Sequence, residues 1–196
     1  MPGTGMAGLL AAALSILLGA GLAADTASPG PTCLPDGTGF LTARLRGAIQ
    51  ADLDWRGDEL DCTGMPRPDG HGLRLRFAGR LPGGGQLAIV FAPPVLAEGE
   101  NARAVPVNVT VLDESAGRIF GTLGEDRCLL DEVFQERVEN AEEDSRLWAV
   151  EARGFCTEPA RALDDSGAVL LTRFDFRGRV TLRGEPAESG RDGEPP

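Results

Sequence analysis

Two stretches of alternating side chains constrain this chain more than any other feature of its sequence. In residues 40–56 and again in 168–183, every second side chain except Thr172 is apolar or glycine and most of the others are polar. A period of two is typical of a β-strand with one buried and one solvated face, whereas a helix would scatter these apolar residues around its circumference. Each stretch contains an Arg-Gly pair, ending at Gly47 and Gly178. We therefore predict two long strands, each bent at its glycine by a bulge.

The first stretch also permits a β-hairpin. A three-residue loop centred on Gly47 would place Leu45 opposite Ile49, with all the apolar side chains still on one face. Because both arrangements bury the same residues, the pattern leaves a bent strand and a hairpin open.

Shorter alternating runs, separated by turns rich in Gly and Pro, predict the remaining strands. These runs lie near residues 60–62, 73–77, 87–91, 105–111, 118–123 and 147–155. Residues 87–91 are apolar on both faces, which predicts a central strand. Pro106 lacks an N–H group, which places the start of its strand at an edge. Two further prolines predict a loop over 65–70.

Residues 128–139 fit two kinds of element. Leu130, Phe134 and Val138 are spaced by four, as on a helix, but a hairpin that pairs this segment with 147–155 favours a strand. Counting it as a strand gives roughly nine strands with turns about every 8–12 residues. The sequence therefore predicts an all-β fold, a single antiparallel β-sandwich or jelly roll with at most one short helix.

The two ends of the chain predict export and a tail. The first charged residue is Asp25, and the apolar run before it, about 14 residues long, suits a secretory signal peptide better than a membrane span. We predict a signal peptide over 1–23, with an uncleaved anchor as the alternative, and a linker over 24–32. The β-sandwich domain then spans 33–183. The tail, 184–196, lacks apolar anchors and is predicted to be disordered.

Four cysteines follow the predicted signal peptide. An even number in an exported chain indicates two disulfides, and of the three possible connectivities we favour Cys33–Cys62 and Cys128–Cys156. The second pair is supported by a hairpin folded at the polar run 140–144, which would bring its two cysteines opposite each other. Zinc ligation is disfavoured because the sequence has no Cys-x-x-Cys motif. The predicted location is therefore extracytoplasmic, in a periplasm or secreted.

The charge balance excludes some partners. The chain has 30 acidic and 19 basic residues, a net charge of −11. Such a protein is poorly suited to bind nucleic acid or an anionic membrane surface. We also predict no stable membrane span once the signal peptide is removed.

Few residues here can do acid–base or nucleophilic chemistry. The sequence contains no Lys and no Tyr, and its one histidine, His71, lies in a predicted loop tip. A serine nucleophile needs a neighbouring base, and no Gly-x-Ser-x-Gly motif occurs. Thiols held in disulfides cannot act as nucleophiles. We therefore predict no catalytic residue and no cofactor, and regard enzymatic activity as disfavoured.

One segment begins like a calcium-binding loop. Asp52, Asp54 and Gly57 occupy positions one, three and six of such a loop. Arg56 stands at the fifth position, and Thr63 replaces the bidentate Glu at the twelfth. We interpret the two aspartates as solvent-facing strand residues and predict no metal site.

Three functions are compatible with these observations. The first is an exported non-enzymatic domain that binds another protein or a cell-envelope component. The alternatives are a calcium-assisted carbohydrate-binding module, which would use Trp55, and a carboxylate-dependent glycoside hydrolase. Trp55 and Trp148 both lie on apolar strand faces and are expected in the core, which disfavours the carbohydrate module.

Overall fold

The fold is built almost entirely from antiparallel strands. The computed structural model describes residues 33–122, 124, 127–139 and 145–183. Within these residues the strands are β1 (Phe40–Gly47), β2 (Ala51–Arg56), β3 (Asp61–Pro66), β4 (Leu73–Arg80), β5 (Gln86–Ala92), β6 (Ala102–Pro106), β7 (Asn108–Asp113), β8 (Arg118–Gly121), β9 (Cys128–Arg137), β10 (Ser145–Cys156), β11 (Ala160–Ala162) and β12 (Ala168–Arg183). One 3-10 turn, Gly57–Glu59, follows β2. The all-β prediction is confirmed, but the count of about nine strands is too low.

The strands form one continuous hydrogen-bonded sheet whose two parts face each other, consistent with a sandwich. The order along the sheet is β3-β4-β5-β7-β8-β11-β12-β10-β9-β6, and β1 pairs with the other edge of β12 and with β2. The long strand β12 therefore connects the part ending in β3 to the part formed by β2, β1, β10, β9 and β6. No helix in the described ranges is long and apolar enough to span a membrane.

Four phenylalanines fill the centre of the core. Phe77 and Phe91, from β4 and β5, pack against Phe174 and Phe176 of β12. The Phe91 ring centroid lies 4.7 Å from each of the two β12 rings, and Phe77 lies 5.0 Å from Phe176. These contacts join the two parts of the sheet, as the alternating pattern of β12 predicts. The predicted central strand is also confirmed, because β5 lies between β4 and β7 with residues 87–91 buried.

The first alternating stretch is a hairpin, so the single bent strand is wrong. Its register pairs Leu45 with Ala51, two residues away from the predicted Leu45–Ile49 pair. The reason is that β1 pairs with β12 as far as Gly47, which moves the turn toward β2. Gly47 has φ 112°, and a Cβ there would lie 2.4 Å from the Ala168 carbonyl oxygen. The hairpin therefore turns over residues 48–50.

The predicted bulge at Gly178 is also wrong. Gly178 pairs regularly with Val150 of β10. A Cβ at this position would lie 2.5 Å from Cζ of Phe77, so the glycine is needed for close packing between the two parts of the sheet. The irregularity in β12 lies instead where it pairs with β1 between Arg44 and Leu45.

The predicted strand over 105–111 is divided between the two parts of the sheet. β6 pairs with β9, whereas β7 pairs with β5, and Val107 lies between them. Pro106 cannot donate to a neighbouring strand, and β6 is indeed at an edge, as predicted. The chain crosses over immediately after this proline.

The loop predicted over 65–70 contains Pro66 and Pro68, and its predicted start is too early because β3 extends to Pro66. β3 continues through Pro66, which pairs with Leu73. This is possible because, in the described part of the chain, β3 is hydrogen-bonded only to β4.

The structure contains both expected disulfides, Cys33–Cys62 and Cys128–Cys156. All four cysteines are buried. Cys128 lies directly opposite Cys156 in the pairing of β9 with β10, so the helix alternative for this segment is wrong. The predicted hairpin tip at 140–144 lies outside the described residues, as do the predicted signal peptide, linker and tail.

Candidate binding groove

A groove lies between the outer edge of β2 and the surface formed by β3, β4 and β5. Its volume is about 800 Å³, which is within the range of about 300–1,000 Å³ typical of ligand sites. Six carboxylates line it: Asp52, Asp54, Asp58, Glu59, Asp61 and Glu114. Arg76 and Arg80 also line it. Acidic groups therefore outnumber basic ones in the lining, and Arg44, Arg46 and Arg56, just outside it, pair with two of the carboxylates.

Trp55 forms part of the wall of the groove and is held in place by a hydrogen bond and by close packing. The Nε1–H group of Trp55 donates to the Arg80 carbonyl oxygen at 2.7 Å. Gly79 lies flat against the indole, since a Cβ there would approach Cδ2 of Trp55 to 2.6 Å. Trp55 is only 3% exposed, so it belongs to the core, as the sequence predicts.

The outer edge of β2 has no strand partner. In the described ranges, β2 makes its backbone ladder with β1 alone. Along β2, Leu53 and Trp55 are buried, whereas Asp52 and Asp54 are exposed. The groove therefore offers unpaired backbone groups of β2 next to a row of acidic side chains.

Several of the groove carboxylates already have basic neighbours. Asp52 lies 2.9 Å from Arg46 and 3.5 Å from Arg44. The hydrogen bond from Arg46 holds the pKa of Asp52 below its usual value, so this carboxylate stays ionised. Asp54 is paired with Arg56 at 2.7 Å. Exposed pairs of this kind contribute only about 0–1 kcal/mol, so a ligand can replace them at little cost.

Of the other four carboxylates, two form ion pairs with an arginine and two do not. Arg76 bridges Asp61 at 3.1 Å and Glu114 at 2.8 Å. Asp58 and Glu59, on the 3-10 turn, are exposed and form no ion pair with any residue that the structure describes. These two acids are therefore available to a cationic ligand.

A second compartment extends the groove along β2. Its volume is about 610 Å³, and it shares Asp52, Leu81 and Pro82 with the first. Ile49 and the ion pair between Asp113 and Arg118 lie on its other sides. Together the two compartments follow the free edge of β2 from the β1–β2 turn to the 3-10 turn.

Asp52 and Asp54, which match the start of a calcium-binding loop, do not form a cation site. Asp52 and Asp54 both have exposed side chains, as the strand interpretation requires, and each faces an arginine. Within the described ranges, no three acidic, histidine or cysteine side chains are grouped closely enough to hold a metal ion. His71 is exposed in the β3–β4 loop.

Trp148 is not available as a platform for a sugar ring either. A Cβ at Gly99 would lie 2.8 Å from Cη2 of its indole, so the backbone of this loop covers the ring. The indole N–H group donates to Glu98 at 2.9 Å. Gln135 holds the same loop, donating to the carbonyl oxygens of Ala97 and Glu100 at 2.8 Å. These hydrogen bonds hold the loop over Trp148, so their role is structural.

A smaller depression lies on the outer face of the sheet, near Asp175 of β12. Its volume is about 100 Å³, and Phe134, which is 52% exposed, lies beside it. Burial raises the pKa of Asp175. The space is too small for a sugar ring or a peptide, since ligand sites typically enclose about 300–1,000 Å³.

Sequence analysis missed the groove because its walls are distant in the chain. Residues 52–61, 76–86 and 114 meet only after β2, β4 and β7 have found their places in the sheet. The one local signal was the acidic run around Asp52 and Asp54, which also fits any solvated strand face.

Comparison of the chain with protein-family models, with curated proteins and with solved structures found no match. The functional assignment therefore depends on the shape and charge of the groove.

Proposed function

We propose that the protein is an exported, non-enzymatic domain that binds another protein or a cell-envelope component, and that the acidic groove beside β2 is its binding surface. The observation that carries this proposal is a groove of about 800 Å³ lined by six carboxylates, of which Asp58 and Glu59 form no ion pair within the described residues. A cleft of one charge sign attracts and orients a ligand of the opposite sign. The ligand is therefore positively charged where it enters the groove.

Two observations favour binding over glycoside hydrolysis. A hydrolase of this class needs one carboxylic acid that keeps its proton, usually through a raised pKa. The hydrogen bond from Arg46 lowers the pKa of Asp52 in the groove, whereas burial raises the pKa of Asp175, which lies outside the groove. The buried Trp55 and the covered Trp148 likewise give little support to a carbohydrate-binding module.

Export is part of the proposal. Two buried disulfides are compatible with an oxidising compartment, since reducing compartments keep most thiols free. The apolar N-terminal run of the sequence has the length of a signal peptide. Both observations support an extracytoplasmic location.

The proposal predicts preferential binding of a basic peptide. We expect a labelled ten-residue peptide of alternating Lys and Val to bind, and one of alternating Glu and Val not to bind, in fluorescence anisotropy at low salt. The double variant Asp58→Asn/Glu59→Gln should weaken binding about tenfold, which is about 1.4 kcal/mol. Affinity should fall as salt screens the groove.

A matched control removes two charges elsewhere. Asp131 and Asp165 are exposed and form no ion pair within the described ranges, so Asp131→Asn/Asp165→Asn gives the same change in net charge. This variant should bind the basic peptide within about twofold of the wild type, because distant exposed charges are screened. Equal weakening by both double variants, or equal binding of both peptides, would refute the groove as the binding surface.

A further inference from the structure

We infer that the ligand is an extended polypeptide segment that binds as an additional β-strand on the free edge of β2. This inference depends on the proposed function and specifies how the groove is used. An edge strand presents a row of unpaired N–H and C=O groups, which can pair with a strand from another chain. β2 is such a strand, because within the described residues its backbone ladder involves β1 alone.

The groove has the position and the length that strand addition requires. Neighbouring strands lie about 4.8 Å apart, and six residues of an antiparallel strand span roughly 20 Å. The two compartments follow β2 over its whole length, from Ile49 at one end to Asp58 at the other. Space for a strand therefore lies beside the unpaired backbone groups.

The side chains of β2 specify the sequence pattern of the added strand. Asp52 and Asp54 point to the exposed face, and Leu53 and Trp55 point to the buried face. A strand paired with β2 alternates in the same way, so every second side chain lies beside the two aspartates. The ligand should therefore carry Lys or Arg at alternate positions, with small or apolar residues between them.

The same charges disfavour a second copy of this chain as the occupant. If two β2 strands paired antiparallel about Leu53, Asp52 of each copy would lie opposite Asp54 of the other. Like charges directly opposite each other destabilise a strand pair. Charged side chains at an edge commonly prevent self-association in this way. Charge complementarity therefore selects a basic segment of a different protein.

Amide hydrogen exchange of the full domain tests this binding mode. With a saturating amount of the alternating Lys-Val peptide, we expect the outward-facing amides of residues 51–56 to exchange at least tenfold more slowly. A peptide with the same side chains but with every backbone nitrogen methylated keeps the charges and loses the N–H groups on both of its edges. It should bind at least tenfold more weakly than the parent peptide, since it has no N–H group with which to complete the ladder.

The possible results separate the binding mode from the proposed function. If the Lys-Val peptide binds without slowing exchange in residues 51–56, or if the N-methylated peptide binds equally well, strand addition is wrong while the acidic groove remains the binding surface. If the Lys-Val peptide does not bind at all, both are wrong. Slower exchange in 51–56, together with weak binding of the N-methylated peptide, supports strand addition.

Discussion

Replacing all four cysteines with alanine is expected to lower the free energy of unfolding by about 7 kcal/mol. The two disulfides close loops with sequence separations of 29 and 28 residues. Each such bridge contributes about 3.6 kcal/mol in the chain-entropy model, because it restricts the unfolded chain. Domains of this size are usually stable by only about 5–15 kcal/mol. The fully reduced protein should therefore be marginally stable and unfold at a much lower urea concentration than the native protein.

Urea denaturation of three variants measures this effect. The pair Cys33→Ala/Cys62→Ala releases the segment before β1, and Cys128→Ala/Cys156→Ala releases the start of β9 from the end of β10. Each single-bridge variant should lose about 2–5 kcal/mol and remain folded. A loss below about 1 kcal/mol for both would contradict the assignment of the disulfides as major stabilising elements.

The second large effect is expected from Phe91→Ala. Phe91 is fully buried and contacts the rings of Phe77, Phe174 and Phe176. Removing a buried aromatic ring loses its transfer free energy and leaves a cavity, at a cost of about 3–5 kcal/mol. Because these rings join the two parts of the sheet, the loss should appear as one cooperative transition at lower denaturant concentration.

Phe134→Ala is the matched control for this substitution. The side chain of Phe134 is 52% exposed on the outer face of β9. Its removal should change stability by less than about 0.5 kcal/mol, the usual range for surface positions. Comparable losses in the two variants would show that the phenylalanine cluster is not the centre of the core.

The alternating pattern predicts much of this fold because it reports burial directly. Phe174 and Phe176, two residues apart in β12, both face the core, and the apolar run 87–91 forms a central strand. The same signal does not fix register. In the hairpin of β1 and β2 the partner of Leu45 is Ala51, two residues after the one considered, because β12 holds β1 as far as Gly47.

Glycines mislead sequence interpretation when their role is tertiary. Gly178 suggests a bulge, but it is required by the ring of Phe77 from the other part of the sheet. Gly79 likewise gives no local signal, although it allows Trp55 to form the wall of the groove. Such contacts join distant segments, so no local pattern reveals them.

The proposed binding groove could not be predicted from the sequence for the same reason. The excess of acidic residues only disfavours nucleic acid and anionic membrane surfaces as partners. The grouping of acidic residues beside the free edge of β2 depends on where β4 and β7 lie in the sheet. The sequence therefore disfavours some classes of partner but does not indicate where a partner would bind.

Selection of peptides from an unbiased library tests the central claim most directly. Random twelve-residue peptides would be selected on the folded domain and counter-selected on the Asp58→Asn/Glu59→Gln variant. The strand-addition account predicts enrichment of extended sequences with Lys or Arg at every second position and without central proline. Enriched peptides that lack basic residues, or that bind the variant as tightly as the native domain, would contradict it.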